Sequence, residues 1–144
     1  MASMFTLNDV VLTIQQHFTV TACTDVTGFG LLGHLLEMTG KGKRGARIQF
    51  DSIPIFEGIR DLALAGVIPG GTLNNAEYVE PYIEWDTSLT RIDRILISDA
   101  QTSGGLLFTI PSSEEESLKT YCLENHISLF PIGYITEEKR IKVL

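Results

Sequence analysis

Positive charge is scarce in this chain. Eleven Lys and Arg stand against eighteen Asp and Glu in 144 residues, giving a net charge of −7 with histidine neutral and a pI near 4.8. That balance excludes a broad electropositive face for nucleic acid. It permits nucleotide phosphates only where metal ions or a basic partner offset the repulsion. Cysteine is nearly absent: Cys23 and Cys122 lie far apart and form no CxxC pair, which points to a reduced, cytoplasmic protein and not to a disulfide scaffold. No apolar run approaches the length that spans a bilayer, and the N-terminus lacks the basic and apolar regions of a secretory signal, so no membrane partner is expected. Internal repeats, low-complexity tracts and long linkers are missing too. What remains, 44% hydrophobic and 20% charged residues, is the make-up of one soluble globular domain with a real core.

The most informative stretch is residues 21–33, Thr-Ala-Cys-Thr-Asp-Val-Thr-Gly-Phe-Gly-Leu-Leu-Gly. A β-favouring run from Val20 to Thr24 ends at Asp25, and the chain then turns through Gly28 and Gly30 into an amphipathic helix. A strand, an acid, a glycine turn and a helix start suit a cation bound to phosphates. The carboxylate can ligate a hard metal ion, and small residues let backbone and helix N-terminus approach an anion.

Periodicity supplies the rest of the outline. Met1 to Met4 read as a chain start or as a remnant of expression. Thr6 is placed as the cap of a helix over Leu7 to Phe18, and a second helix is expected over Leu31 to Thr39. Gly40 to Gly45 reads as a flexible basic turn and Ala46 to Phe50 as a strand. Phe56 to Gly66 suggests a helix ended by glycine, and Val67 to Thr72 reads as punctuation. From Leu73 to Asp93 the signal weakens to a short helix near Asn75 to Glu80 and a surface loop around Trp85. Leu106 to Ile110 reads as a buried strand. Ser112 and Ser113, followed by three glutamates, start a helix running to about Asn125 and burying Leu118, Tyr121, Cys122 and Leu123. Leu129 to Ile135 and Ile141 to Leu144 are expected to form a final hairpin. The predicted class is α+β, with helices packed on a mixed, mainly antiparallel sheet.

Two blocks carry a family resemblance. Thr24-Asp25-Val26-Thr27-Gly28-Phe29-Gly30-Leu31-Leu32-Gly33-His34 resembles a signature of selenophosphate synthetase (selenide, water dikinase), and Asp99-Ala100-Gln101-Thr102-Ser103-Gly104-Gly105-Leu106-Leu107 resembles that family's Asp-Pro-Gln-Thr-Ser-Gly-Gly-Leu run, with Ala100 in place of proline. Gly66-Val67-Ile68-Pro69-Gly70-Gly71-Thr72, with the following Asn75, looks like a third matching block. Nothing in Met1 to Thr19 matches the family's N-terminal domain, which carries a reactive cysteine or selenocysteine, a lysine and most of the metal-binding aspartates. The resemblance therefore implies a C-terminal domain alone, of the fold shared with aminoimidazole ribonucleotide synthetase. It implies an enzyme that makes selenophosphate, AMP and phosphate from ATP, selenide and water with Mg2+. The expected partners are the protein's own N-terminal domain and, at full length, a second copy in a homodimer. The isolated segment is expected to be inactive.

Within that frame Asp25 is the expected magnesium ligand. From the residues alone, a turn-capping role through its own side chain is equally open. Thr24, Thr27, Gly28, Phe29 and Gly30 are expected to shape the wall of the nucleotide site. The glycines can equally serve only a tight helix entry, and Phe29 reads more as a core plug than a base-stacking ring. Residues Gln101 to Gly105 can form an anion nest, though packing of the following strand accounts for the glycine pair better. Asp99 is expected to cap that turn in preference to facing the metal cluster. Cys23 reads as a small buried hydrophobe, His34 as a hydrogen-bonded structural histidine, and Lys41, Lys43 and Arg44 as solvated surface. No catalytic residue is assigned in this segment. Two other functions stay open at this point: a domain of another ATP-dependent member of the same superfamily, and a free-standing binding domain without catalysis.

Overall fold

A computed structural model describes residues 8–144. Six helices occur among them: α1 (Val10–Ile14), α2 (Gly30–Met38), α3 (Ile59–Leu64), α4 (Gly70–Val79), α5 (Arg91–Leu96) and α6 (Glu115–Glu124). The predicted Thr6 cap and Leu7 fall outside the described residues. Helix α2 buries Leu32, Leu35 and Leu36, which share one face at three- and four-residue spacing. It stops at Gly40, whose φ of 70° accompanies bonds from Gly40 N–H to the Glu37 carbonyl and from Lys41 N–H to the Leu36 carbonyl. These are the two bonds of a Schellman end. Gly66 ends α3 with the same pair of bonds, as its glycine foretells. His126, at φ 56°, does so for α6 without glycine.

Six strands among the described residues form two sheets: β1 (Ala22–Asp25) with β4 (Leu106–Thr109), and β2 (Gly45–Ile48), β3 (Ile83–Trp85), β5 (Gly133–Thr136) and β6 (Ile141–Val143) in the order β3-β6-β2-β5. The class is α+β and the larger sheet is mixed. Across the two sheets the pairings correct the expected antiparallel majority: β1–β4 and β2–β5 are antiparallel, while β2–β6 and β3–β6 are parallel.

The predicted final hairpin does not form. Strands β5 and β6 lie on opposite sides of β2, so residues 137–140 must cross over the end of β2. Gly45 makes the crossing possible: a Cβ there would collide with the Arg140 carbonyl and come within 2.7 Å of the Glu138 carbonyl. The link is long enough, because two strand spacings are only about 10 Å and five peptide steps reach about 16 Å.

Two hydrophobic clusters hold these layers. In the larger one Leu32, Leu35 and Leu36 of α2 and Val79 of α4 pack on Ala46, Ile48, Ile83, Ile141 and Val143 of the sheet. In the smaller one Ile14 of α1 and Leu118 and Cys122 of α6 gather against Phe108 and Ile110. The β1–β4 ribbon joins the clusters: Leu107 faces the large one and Phe108 the small one, as alternation along a strand requires. Strand β4 is consequently half-buried on both faces and not fully buried as predicted.

Four further points of the sequence reading are corrected. The stretch read as punctuation contains the start of α4 at Gly70. Trp85 is not in a surface loop but ends β3, half-buried, donating its indole N–H to Glu80 at 2.8 Å beneath the Arg94 guanidinium. Helix α5 was missed, although Thr90 and Asp93 form a reciprocal capping box at its start. Leu123 of α6 is exposed, pointing away from the Leu118–Cys122 face.

Candidate functional site

The ladder between β1 and β4 does not end where the strands do. Asp25 pairs with Leu106, and the next residues continue the contact as loop against loop. Val26 N–H donates to the Gly105 carbonyl at 2.9 Å, Gly104 N–H to the Val26 carbonyl at 3.1 Å, and Gln101 N–H to the Thr27 carbonyl at 3.1 Å. The two sequence blocks that look most functional are therefore zipped together. Their glycines explain the fit. At Gly104 a Cβ would run into the Val26 carbonyl, and Gly30, at φ 68°, would place one 2.7 Å from the Ser98 carbonyl and 2.8 Å from that of Asp99.

His34, buried on α2, closes the turn from the other side. Its Nε2 accepts the Thr27 backbone N–H at 3.1 Å and lies 3.1 Å from the Thr27 hydroxyl. Accepting through Nε2 puts the ring proton on Nδ1, which has no hydrogen-bond partner and faces Glu37 at 3.8 Å. The structural histidine expected from the sequence is what the fold contains.

The third block supplies the remaining contacts. Asn75 Nδ2 donates to the Gly28 carbonyl at 2.8 Å and the Ser98 carbonyl at 3.2 Å. Thr72 donates its hydroxyl to Asp99 Oδ1 at 2.6 Å and accepts the Ala100 N–H at 3.2 Å. Gln101 Nε2 holds the other Asp99 oxygen at 2.7 Å. Asp99 is thus engaged by side chains and does not cap its turn through the backbone. The N–H groups of Ala100, Gln101 and Gly104 are committed inside the protein, so these three are not available to an anion nest in this loop.

Asp25 ends up differently. Its side chain is exposed, and its one hydrogen bond among the described residues is from Asn8 Nδ2 to Oδ1 at 3.1 Å. Asn8 also reaches the Gly104 carbonyl at 3.4 Å; nothing in the sequence marked it for this position. The carboxylate has an oxygen to offer a hard cation, so its chemistry fits one magnesium ligand. No group of three His, Cys, Asp or Glu able to hold a metal occurs among the described residues.

Around it, Thr24 is half-buried with its hydroxyl on the Asp25 carbonyl at 3.1 Å, Thr27, Gly28 and Phe29 are exposed, and Gly30 is buried. Two expectations fail here. Phe29, 56% exposed, is no core plug: the inner face of α2 is filled by its leucines, and the ring rests edge-on against His34 at 5.8 Å between centroids. Cys23 is exposed and not buried, because it shares the outer face of β1 with Asp25 while Ala22 and Thr24 turn inward. Partial burial, followed by the negative charge of Asp25, pushes the Cys23 thiol above its ordinary pKa.

Fold and site together define a member of a known class. Residues 2–144 match the family model described as AIR synthase related protein, C-terminal domain, and the chain belongs to that family. It is similar to the selenide, water dikinases of Carboxydothermus hydrogenoformans (37% identical over 139 residues), Pelobacter propionicus (40% over 116) and Pseudomonas aeruginosa (38% over 124). These matches cover 96%, 81% and 86% of this chain but only 40%, 33% and 35% of those proteins. The chain thus spans between a third and two-fifths of the length of these curated relatives. Among solved structures, a thiamine-monophosphate kinase from Stenotrophomonas maltophilia superposes with a TM-score of 0.52 at 22% identity, over 88% of this chain and 31% of that one. That likeness shows the shared fold.

Proposed function

We propose that the chain is the C-terminal part of a selenide, water dikinase, and that it contributes a magnesium-ligand carboxylate, Asp25, and one wall of the ATP site. Identity near 38% with enzymes of that name over most of the chain carries this reading. The local geometry supports it. The N–H and carbonyl of Val26, the N–H and carbonyl of Thr27 and the carbonyl of Gly28 are bonded within the protein, while the Asp25 carboxylate is left at the surface. The wall comprises Thr24, Thr27, Gly28, Phe29 and Gly30. Gly28 meets nothing within 4 Å of a hypothetical Cβ and lies outside the left-handed region, so the fold does not require glycine there. Close approach of a ligand does.

When bound, magnesium neutralises phosphate charge and orients the nucleotide for transfer. The chain's own part is to fix where the Asp25 oxygens stand, through the zipped loops, and to keep the turn rigid. The reactive nucleophile and most of the metal ligands are assigned to the rest of the enzyme, together with most of the homodimer contact, and the segment alone is inactive. The expected setting is a cytoplasmic enzyme.

The test is a chimera in which this chain replaces the matching region of the Carboxydothermus hydrogenoformans enzyme, assayed for selenide-dependent AMP release. The parent chimera is expected to be active. Asp25→Asn should lower its turnover by roughly 10- to 100-fold or more, the loss already typical of groups one bond removed from a metal, with a melting temperature close to the parent's. Full activity in the variant refutes the ligand role; a large drop in melting temperature assigns Asp25 to turn capping instead.

A further inference from the structure

Helix α4 carries polar residues where a helix that merely packs would carry apolar ones. Its buried positions are Thr72, Asn75 and Val79, and Thr72 is 1% exposed and Asn75 9%. Thr72 and Asn75 are three residues apart and so face the same way. Both are fully used as donors, since the Thr72 hydroxyl gives one bond and takes another while both Asn75 amide hydrogens go to carbonyls. One carbonyl belongs to Gly28 and the other to Ser98, so a single amide group ties the two signature loops to each other.

We infer that Thr72 and Asn75 are positioning residues that set the spacing between the Asp25 turn and the 98–105 loop. The bonds form a closed circuit. From the Gly28 carbonyl it runs through Asn75 to Ser98 and, along the chain, to Asp99 and Ala100, both held by Thr72. It returns through Gln101 N–H to the Thr27 carbonyl, one residue from its start. The contact is tight as well as bonded, because α2 begins at Gly30 directly against the Ser98 and Asp99 carbonyls. Opening the circuit at α4 takes the donor from the Gly28 and Ser98 carbonyls if Asn75 is lost, and the donor from the Asp99 carboxylate and the acceptor from the Ala100 N–H if Thr72 is lost, so the loops relax toward other partners. This inference rests on the reading of Asp25 given above, but its structural half stands alone.

The test has two arms. In the 144-residue chain, Thr72→Val removes the hydroxyl at constant shape. Amide hydrogen exchange by NMR should then speed up at Ala100, which Thr72 touches, and also at Gln101, Thr27 and Gly30, which it does not. Faster exchange at Ala100 alone overturns the circuit. In the chimera, Thr72→Val should lower kcat by roughly 10- to 100-fold, the scale of a misplacement of about 1 Å, with the KM for ATP little changed. Thr72→Ser, which restores the hydroxyl, should return kcat to within about twofold of the parent. Equal loss in Thr72→Ser, or loss that tracks only the unfolded fraction, overturns the positioning role even if the valine variant folds poorly. An inactive parent chimera would count against the proposed function, leaving the exchange arm to decide the circuit by itself.

Discussion

Gly28 and Gly30 stand two residues apart in one motif, and the structure assigns them opposite reasons for being glycine. Alanine at 30 would hold a left-handed φ of 68° and set its Cβ 2.7 Å from the Ser98 carbonyl oxygen and 2.8 Å from that of Asp99. The obstacle is backbone, pinned by Asn75 and Thr72, so no side chain can swing aside. The conformation costs about 1–2 kcal/mol and forcing the contact about 1–3 kcal/mol. The sum, on the order of 2–5 kcal/mol, should lower the melting temperature by roughly 10 °C or more in a domain of this size. Alanine at 28 meets nothing within 4 Å and needs no left-handed backbone, so its stability should stay within about 1 kcal/mol of the parent, with any gain coming from the unfolded chain. Thermal and urea melts of the two variants, followed by circular dichroism, make the comparison. In the chimera the order reverses in meaning: Gly28→Ala, stable, should raise the KM for ATP if phosphate passes over that position. Equal destabilisation by the two alanines would refute the division between a fold glycine and a ligand glycine.

Two further expectations concern charge. The Cys23 thiol, raised by burial and then by Asp25, should react with a thiol reagent more slowly than free cysteine at pH 8. Asp25→Asn should speed the reaction; an unchanged rate removes Asp25 as a cause. Asp93 is pushed up by burial, but the Thr90 hydroxyl and backbone N–H and the Arg60 guanidinium outweigh this and hold its carboxyl below the ordinary value. A depressed folded pKa stabilises the protein above the unfolded value, near pH 4, and that contribution fades as pH falls through the folded one. Asp93→Ala should therefore cost about 1–2 kcal/mol at pH 7, the range of a lost helix cap. The penalty should shrink as urea titrations move toward pH 3, and one independent of pH would place it in packing.

Much of the architecture was legible because local rules decided it. Leucine spacing set α2, Gly40 and Gly66 set helix ends, and the acid-glycine turn after β1 was read correctly up to the exposure of Asp25's neighbours. What was not legible depends on distant pairing. A four-residue charged link between two apolar strands reads as a hairpin unless something shows that β2 lies between them. The only mark of that was Gly45, which looked like part of a flexible turn. Helix α5 was hidden by its mixed composition, though Thr90-x-x-Asp93 carried a usable capping signal. Cys23 and Phe29 were placed in the core from residue type alone. Their exposure follows from Cys23 lying on the outer face of β1 and from the leucines already filling the inner face of α2. At the site, the sequence identified three blocks but not their joinery: that Asn75 and Thr72 hold the other two together is a property of contact, not of spacing.

The charges around the joined blocks say what kind of site this is. No Lys or Arg occurs in residues 20–36, 69–79 or 97–110, the segments that meet there. The nearest candidates in sequence, Lys41, Lys43 and Arg44, lie beyond the end of α2 in an exposed turn, with Arg44 paired to Glu137. A lone exposed carboxylate on a surface of net negative charge repels phosphate, so by itself this arrangement opposes the ligand it is proposed to serve. The repulsion becomes attraction only when a divalent ion stands between the two and when further ligands share its charge. One oxygen donor on a rigid turn is a suitable contribution to such a cluster and an insufficient cluster alone. A chain covering a third to two-fifths of its relatives is where such an incomplete set is expected. Magnesium titration of the 144-residue chain should accordingly find no sub-micromolar binding, and a tight site appearing without any added domain would break the link between Asp25 and a shared ion.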